Sequence, residues 1–344
     1  MIHAKPEVKY ELIHEMISCD NNLLNISWLC EVAGVSRSGY YRWVAAEPHR
    51  IQKEINDRTD FNVILEAYNH RGYAKGVRGI YMTLLHHEPP IVMNLKKIRR
   101  LMRKYNLECP IRKANPYRKI LREMYGDRIE ENLVNREFTE HGPRKILLTD
   151  ITYIRRGGES GFTYLSTIID AFTMEVLSFA LSDSLKVDFV LETVESLIQN
   201  HGVSQNAETL VHSDQGVHYT CYAFSRVLND YQLRQSMSRK ANCWDNAPQE
   251  SFFGHMKDEI NIVGSMTHED ICREVEQWID YYNNERYQWN LAKLSPCEFY
   301  YYFTTGIYPL KDVVAEPDFF RDLVAGRTPN RPKHPSKVPT NAQP

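Results

Sequence analysis

The sequence predicts an α/β domain, with a mixed five-stranded sheet and flanking helices, preceded by small all-α helix-turn-helix modules. Two observations indicate this class. Apolar residues recur at helical spacing up to about residue 105, whereas β-branched and apolar runs typical of strands begin at residue 145. Charge also changes along the chain: residues 1–145 hold 25 basic and 18 acidic side chains, and residues 146–344 hold 17 basic and 26 acidic ones.

The composition excludes several classes of protein. Of the 344 residues, 42% are hydrophobic and 25% are charged, as in an ordinary folded protein. No apolar run approaches the roughly 20 residues of a membrane-spanning helix. The N-terminus has no apolar stretch of the secretory type, so we expect a cytoplasmic protein. The seven cysteines form no C-x-x-C pair, which argues against a zinc ribbon.

The first 48 residues predict a helix-turn-helix. In NISWLCEVAGVSRSGYYRWV, residues 25–44, an apolar helix is followed by Gly34, which permits a tight turn, and by Ser36, which caps a second helix. That helix presents Arg37 and Arg42, which we expect to contact DNA. Many two-helix corners share this pattern without touching DNA, so it is a weak signal when taken alone.

A helical linker over residues 49–70 leads to a second, basic helix-turn-helix-like module over residues 71–112. Between Arg71 and Arg122 the chain has 14 basic and two acidic residues, a charge pattern typical of nucleic-acid binding. One helix ends before Pro89-Pro90, and Asn94 caps another that runs to about Tyr105. We expect the basic residues of this last helix to contact DNA phosphates: Lys96, Lys97, Arg99, Arg100, Arg103 and Lys104.

After a linker over residues 113–143, residues 144–308 predict the α/β core. Three strands, KILLTDITYIRR, FTYLSTIIDAFT and MEVLSFAL, are joined by short turns as an antiparallel meander. Alternating helices and short strands follow, with helices at 186–200 and near 223–228 and strands in ETLVHSD and LRQSMS. This order, βββαβαβα, is that of an RNase H-like domain. Residues 309–344 are expected to be an extension with a disordered Pro- and Lys-rich tail.

Three acidic residues lie where this fold would bring them together. Asp150 interrupts an apolar strand, where a lone buried carboxylate is costly unless it is paired or bound to metal. Asp214 ends a short strand in HSDQG, and Glu250 lies in the first turn of a helix beginning near Pro248. Taken singly, Asp214 is equally typical of a turn and Glu250 of a helix start. As a set, their hard oxygen ligands predict a catalytic site for Mg²⁺ or Mn²⁺, with two ions.

The helix that carries Glu250 also carries a basic residue in phase with it. Lys257 follows by seven positions, two helical turns, and is expected to reach DNA phosphate beside the metal ions. Glu259, nine positions after Glu250, is expected to face the opposite way. We expect Asp258 and Glu259 to lie on the solvated surface.

The three acidic residues lie in the segments LLTDITYI, VHSDQGVHYT and SMSRKANCWDNAPQESFFGHMKDE, with 35 residues between Asp214 and Glu250. With these segments the chain, from Met1 to about Tyr300, resembles the second-frame protein of the IS3 insertion-sequence family. That protein is a DDE transposase of the retroviral integrase superfamily. The resemblance implies that Ser213, Gln215 and Gly216 shape the loop of the second carboxylate and that Asn246 supports the third. Ala241, where the family usually has Gly, departs from the pattern.

The resemblance further implies a function. A protein of this kind cuts its insertion sequence at the terminal inverted repeats. It then joins the freed 3′-hydroxyl to double-stranded target DNA. The resemblance implies a homo-oligomer on DNA, a first-frame protein as partner or frameshift fusion, and a nucleoid-associated location in the bacterial cytoplasm. Two alternatives stay open: a catalytically weak DNA-binding regulator, and an RNase H-like nuclease.

Overall fold

A computed structural model describes residues 4–19, 24–111, 142–156, 161–202, 209–238, 247–318 and 320. By its internal contacts the chain forms two compact units, Met1–Glu66 and Ala67–Pro344. Residues 113–141 of the predicted linker over 113–143 lie outside the described residues, as does the predicted tail beyond residue 320. The finer domain boundaries given above stay predictions. Within the described ranges, no helix is both long and apolar enough to cross a membrane.

The first unit is built on helices α1 (Pro6–Ser18), α2 (Ile26–Ala33) and α3 (Arg37–Ala45), and α4 (Glu47–Asn69) begins in it. The predicted turn is confirmed, because Gly34 adopts a left-handed conformation with φ of 64° and Ser36 Oγ accepts a hydrogen bond from the Gly39 amide at 3.1 Å. A small core holds the three helices together: Ile13, Leu29, Cys30 and Tyr40. Helix α1 was not identified from the sequence.

The second unit begins with the basic module. Helix α5 (Val77–Leu85) ends before the two prolines, and α6 (Leu95–Lys104) begins at Asn94, whose side chain accepts a hydrogen bond from the Lys96 amide at 2.7 Å. Both predicted boundaries are confirmed.

The sheet of the second unit has the strand order β3-β2-β1-β4-β5. Its strands are β1 (Ile146–Arg155), β2 (Phe162–Asp170), β3 (Val176–Ser182), β4 (Leu210–Ser213) and β5 (Arg234–Met237). The first three pair antiparallel, whereas β4 pairs parallel with both β1 and β5. The predicted mixed five-stranded sheet is confirmed.

Helices cover both faces of this sheet. On one side α7 (Asp188–His201) and α9 (Tyr222–Asp230) share a core with β1 and β2, after the short α8 (Val217–Thr220). On the other side α10 (Ala247–Glu259) and α11 (His268–Asn284) pack their aromatic residues onto the sheet: Phe252, Phe253, Trp278, Tyr281 and Tyr282.

A third cluster lies around α12 (Pro296–Thr305). It joins Leu85 of the basic module to Phe172 of the sheet domain, and it includes Tyr308 and Leu310. Buried packing therefore continues past residue 308, the predicted end of the core.

The prediction that Glu259 lies on the solvated surface is wrong. Its side chain is 6% exposed, pairs with Arg286 at 2.7 Å, and accepts a hydrogen bond from Trp278 Nε1 at 3.2 Å. Helical phase relative to Glu250 predicts only the direction in which Glu259 points, and α11 with the segment after it occupies that side. The neighbouring Asp258 is half-buried.

Candidate active site

Asp150 and Asp214 belong to adjacent parallel strands. The register pairs Leu148 of β1 with His212 of β4, so continuing it by two positions brings Asp150 beside Asp214. Asp150 is half-buried, and its Oδ1 accepts a hydrogen bond from the Ile151 amide at 2.8 Å. Asp214 directly follows the last residue of β4 and is exposed. The register, continued in this way, therefore sets the two carboxylates at neighbouring positions of β1 and of the loop that follows β4.

The loop after β4 is fixed around Asp214. Ser213 Oγ donates a hydrogen bond to the Asp214 carbonyl at 3.0 Å, and the Gly216 amide donates to Asp214 Oδ1 at 2.9 Å. A Cβ atom at Gly216 would lie 2.9 Å from the same oxygen, closer than real Cβ contacts allow. Gln215 Nε2 donates to the Ser238 carbonyl at 3.0 Å, which ties the loop to the end of β5. The functional roles of these residues stay predictions.

Glu250 lies in the first turn of α10 and is exposed. The preceding residue, Gln249, is fully buried and its Nε2 donates to Thr167 Oγ1 at 2.5 Å. Thr167 is the cross-strand partner of Asp150. The start of α10 is therefore held against the sheet next to Asp150. Asn246, expected to support Glu250, lies outside the described residues.

The donor chemistry of the site suits a hard divalent cation, because all three side chains offer carboxylate oxygens. Among the residues that the structure describes, however, no group of three or more His, Cys, Asp or Glu side chains is arranged to hold a metal ion. The structure thus brings Asp150 and Asp214 to adjacent positions and Glu250 to a nearby helix start, without closing them into one ligand cluster.

A buried tyrosine that was not predicted from the sequence lies within electrostatic range of both aspartates. Tyr219 of α8 is 1% exposed. Burial raises the pKa of its phenol far above the ordinary value, and the negative charges of Asp150 and Asp214 raise it further. The sequence did not predict this position of Tyr219, five residues after Asp214, because a single tyrosine is equally common in any hydrophobic core.

Lys257 extends from α10 to the same region. Its Nζ lies 5.0 Å from the ring centre of Tyr153 on β1. Burial lowers the pKa of Lys257, and the Asp150 carboxylate opposes that shift. The ammonium group therefore lies within electrostatic range of Asp150, as its phase on the helix predicts.

The other predicted DNA-binding residues are at the surface of their helices. In the first unit Arg37 and Arg42 are exposed on α3, and Arg37 Nη1 donates to Ser27 Oγ at 3.2 Å. Helix α6 in the second unit buries Ile98, Leu101 and Met102. Its basic residues are exposed except Lys97, which is half-buried: Lys96, Lys97, Arg99, Arg100, Arg103 and Lys104. The predicted apolar and basic faces of α6 are confirmed, and contact with DNA stays a prediction.

Comparison with known proteins agrees with this organisation. Family models described as "Integrase core domain" match residues 140–243 and 231–296, and one described as "HTH-like domain" matches residues 54–115. An uncharacterized transposase-like protein of Haemophilus influenzae is 33% identical, over 61% of this chain and 94% of the relative. The transposase InsF for insertion sequence IS3A of Escherichia coli is 28% identical, over 80% of this chain and 93% of the relative.

Among solved structures, the HTLV-2 integrase catalytic core domain in complex with magnesium superposes with a TM-score of 0.34 and 14% identity. That match covers 46% of this chain and 97% of the integrase domain. The transposase relatives, matched over most of their length, and the integrase-core and helix-turn-helix models identify the family. The chain therefore belongs to the IS3 family of insertion-sequence transposases, within the DDE integrase superfamily.

Proposed function

We propose that the chain cuts the ends of its insertion sequence and transfers the freed 3′-hydroxyl into target DNA, with Asp150, Asp214 and Glu250 as its catalytic carboxylates. The observation that supports this proposal is the parallel register of β1 and β4, which pairs Leu148 with His212, two positions before Asp150 and Asp214. One carboxylate within β1 and a second directly after β4 suit phosphoryl transfer, a reaction that requires positioning and charge stabilisation more than a covalent protein nucleophile.

Asp150, Asp214 and Glu250 would hold Mg²⁺ or Mn²⁺, as two ions. Bound there, the ions would supply activation of the attacking oxygen and stabilisation of the leaving oxygen. The chain's own residues prepare this arrangement. The Gly216 amide fixes one oxygen of Asp214, and Gln249 holds the helix start that carries Glu250. Lys257, within range of Asp150, would bind phosphate next to the reacting bond.

We propose the remaining roles from the exposure and charge of side chains for DNA binding, and from family membership for location and partners. The exposed basic residues of α3 and α6 would bind the phosphates of double-stranded DNA, both the terminal inverted repeats and the target. The chain would act on the bacterial nucleoid as a homo-oligomer, with a first-frame protein as partner or frameshift fusion.

A strand-transfer assay tests the catalytic assignment. Purified chain is incubated with DNA carrying the element's ends, a target plasmid, and Mg²⁺ or Mn²⁺. We expect joined product from the wild type and from Asp230→Asn, which changes an exposed carboxylate of α9. We expect Asp150→Asn and Asp214→Asn to lose product by more than about a hundredfold, because changes to mere supporting groups around metal ligands already cost about 10- to 100-fold.

Equal product from Asp214→Asn and the wild type would exclude Asp214 from catalysis. A parallel assay with an RNA–DNA hybrid distinguishes the transposase from the alternative RNase H-like nuclease. Degradation of the hybrid without joining of DNA would contradict the transposase proposal.

A further inference from the structure

The hairpin of β1 and β2 carries aromatic residues on one face near its tip. The register places Tyr153 opposite Tyr164 and Arg155 opposite Phe162, so alternation puts these four side chains on the same face. Tyr153 is 59% exposed and Phe162 is 38% exposed. Their rings meet edge to face, with centres 5.2 Å apart and planes at 77°. We call Tyr153 and Phe162 the hairpin aromatic pair.

This pair is not needed to close the core beneath it. Tyr164 is the half-buried member of the row and packs against the cluster under α7 and α9. Tyr153 and Phe162 instead present ring surface to water, which costs free energy in proportion to the apolar area left exposed. Such a surface next to an active site is typical of a place where substrate binds.

The hairpin aromatic pair is also connected to the catalytic region. Lys257 Nζ lies 5.0 Å from the ring centre of Tyr153, and the same ammonium group is within range of the Asp150 charge. In the described part of the sheet β4 accompanies β1 only over Ile146–Leu148, whereas β2 follows it to Arg155. By the same alternation Asp150 points to the opposite face of the sheet from Tyr153, so Lys257 is the side chain that links the hairpin aromatic pair to the carboxylates.

We propose that the hairpin aromatic pair is a stacking site for an unpaired DNA base next to the reacting phosphate, with the phosphate of that nucleotide on Lys257. Bases inside a duplex stack on each other, so only an unpaired or frayed base offers its face to a protein ring. Stacking on aromatic side chains is the common means of holding single-stranded DNA without reading its sequence. This inference rests on the proposed function, because it concerns the DNA strand held beside the carboxylates.

Charge favours a nucleic acid over a protein as the occupant. Among the described residues, the rings are accompanied by the basic side chains of Lys257 and Arg155, which complement a sugar-phosphate backbone. The lysine ammonium lies at the end of a flexible side chain, so it can leave the ring of Tyr153 for a phosphate when a base arrives.

A binding measurement tests the proposal without chemistry. The full chain, in buffer free of divalent metal, is titrated into a duplex with a short single-stranded overhang containing 2-aminopurine. A second duplex has an abasic overhang of the same length. We expect the wild type to bind the base-bearing overhang about tenfold more tightly than the abasic one. We also expect the 2-aminopurine fluorescence to be quenched on binding.

The variants separate stacking from phosphate binding and from misfolding. Tyr153→Ala should lose the tenfold preference and the quenching, yet bind the abasic duplex like the wild type. Tyr153→Phe keeps the ring and should retain both. Lys257→Gln should weaken both duplexes alike, since both keep the phosphate. Tyr301→Ala, which changes a 49% exposed tyrosine on α12, is the matched control and should behave as the wild type.

Two results would overturn the proposal. One is a wild-type preference for the base-bearing overhang that persists in Tyr153→Ala. The other is a change in the self-association of Tyr153→Ala in sedimentation, with no change in base preference, which would assign the rings to a protein contact. Because binding needs no strand transfer, an inactive wild type that still shows the preference would count against the proposed catalysis alone.

Discussion

Burial alone does not distinguish a catalytic acid from a structural one in this sheet. Asp170, at the end of β2, is fully buried, and its carboxylate accepts hydrogen bonds from the Phe172 amide at 3.0 Å and Thr173 Oγ1 at 2.9 Å. Burial raises the pKa of Asp170, and the guanidinium of Arg144 lowers it. Asp150 is less buried and adjoins a second carboxylate on the next strand. It is this neighbouring acid that marks Asp150 as a candidate metal ligand.

A buried lysine of the second unit predicts a pH effect on stability. Lys75 is 6% exposed, and its Nζ donates to the carbonyls of His70 at 2.6 Å and Tyr73 at 2.8 Å. Burial lowers the pKa of Lys75 to about 8, against the favourable charges of Glu259 and Glu285. In the unfolded chain the group keeps its ordinary pKa of 10.5 and binds more protons above pH 8. The free energy of unfolding should therefore rise with pH in this window.

We expect Lys75 to contribute a rise of about 2 kcal/mol between pH 8 and pH 10. Urea denaturation at both pH values measures it in the wild type and in Lys75→Met, in which this rise should be absent. The exposed Lys96 provides a matched control, since Lys96→Met should keep the wild-type rise. An unchanged rise in Lys75→Met would show that Lys75 is fully charged in the folded protein up to pH 10.

At the scale of elements, α10 is anchored at both ends. Gln249 fixes its start to Thr167, and Glu259 at its end forms a buried ion pair with Arg286. Removing one partner of a buried pair leaves the other charge without compensation. We expect Glu259→Gln to lower the free energy of unfolding by about 3 kcal/mol in chemical denaturation. The control Asp230→Asn, which breaks the exposed pair with Arg226, should cost less than about 0.5 kcal/mol. An equally small loss of unfolding free energy in Glu259→Gln would show that Glu259 does not anchor α10.

Helix α6 offers a second test at this scale. Each lysine or arginine that contacts a DNA phosphate contributes about 0.9 to the slope of log K against log salt. Replacing Lys96, Arg99 and Arg103 with glutamine should therefore reduce that slope by about 3 and weaken binding to all sequences alike. Fluorescence anisotropy over a salt series measures the slope. Lys311→Gln, outside the basic module, is the control, and a slope equal to that of the wild type in the triple variant would exclude α6 from the DNA interface.

The same scale shows what the sequence could predict. The strands of the sheet and the boundaries of α5 and α6 follow from strong local signals: β-branched runs, two prolines and an Asn cap. Helix α1 gave no such signal, because Ile13 is buried while Val8 and Leu12 on the same helix are exposed. Apolar residues all around a short helix show no amphipathic period. The burial of Glu259 depends on Arg286, 27 residues away, and no local pattern reports such a partner.

At the scale of the whole molecule, the candidate site depends on a crossover connection that returns the chain to the sheet beside β1. Asp150 and Asp214 are 64 positions apart in sequence, yet β4 returns to lie parallel to β1 and brings them to neighbouring positions. The strand order made that convergence predictable. Glu250 is on a helix that follows residues 239–246, which lie outside the described residues, and no ligand cluster is closed among the residues that are described.

Glu250 is therefore the carboxylate whose participation tests the catalytic claim most directly. The measurement is the yield of joined DNA from Glu250→Gln in the strand-transfer assay with Mg²⁺. Glu192→Gln, which changes an exposed glutamate of α7, is the matched control. If Glu250 is the third metal ligand, its variant should lose more than about a hundredfold of product while still binding the element's ends. Product from Glu250→Gln at the level of the wild type and of Glu192→Gln would contradict a three-carboxylate active site.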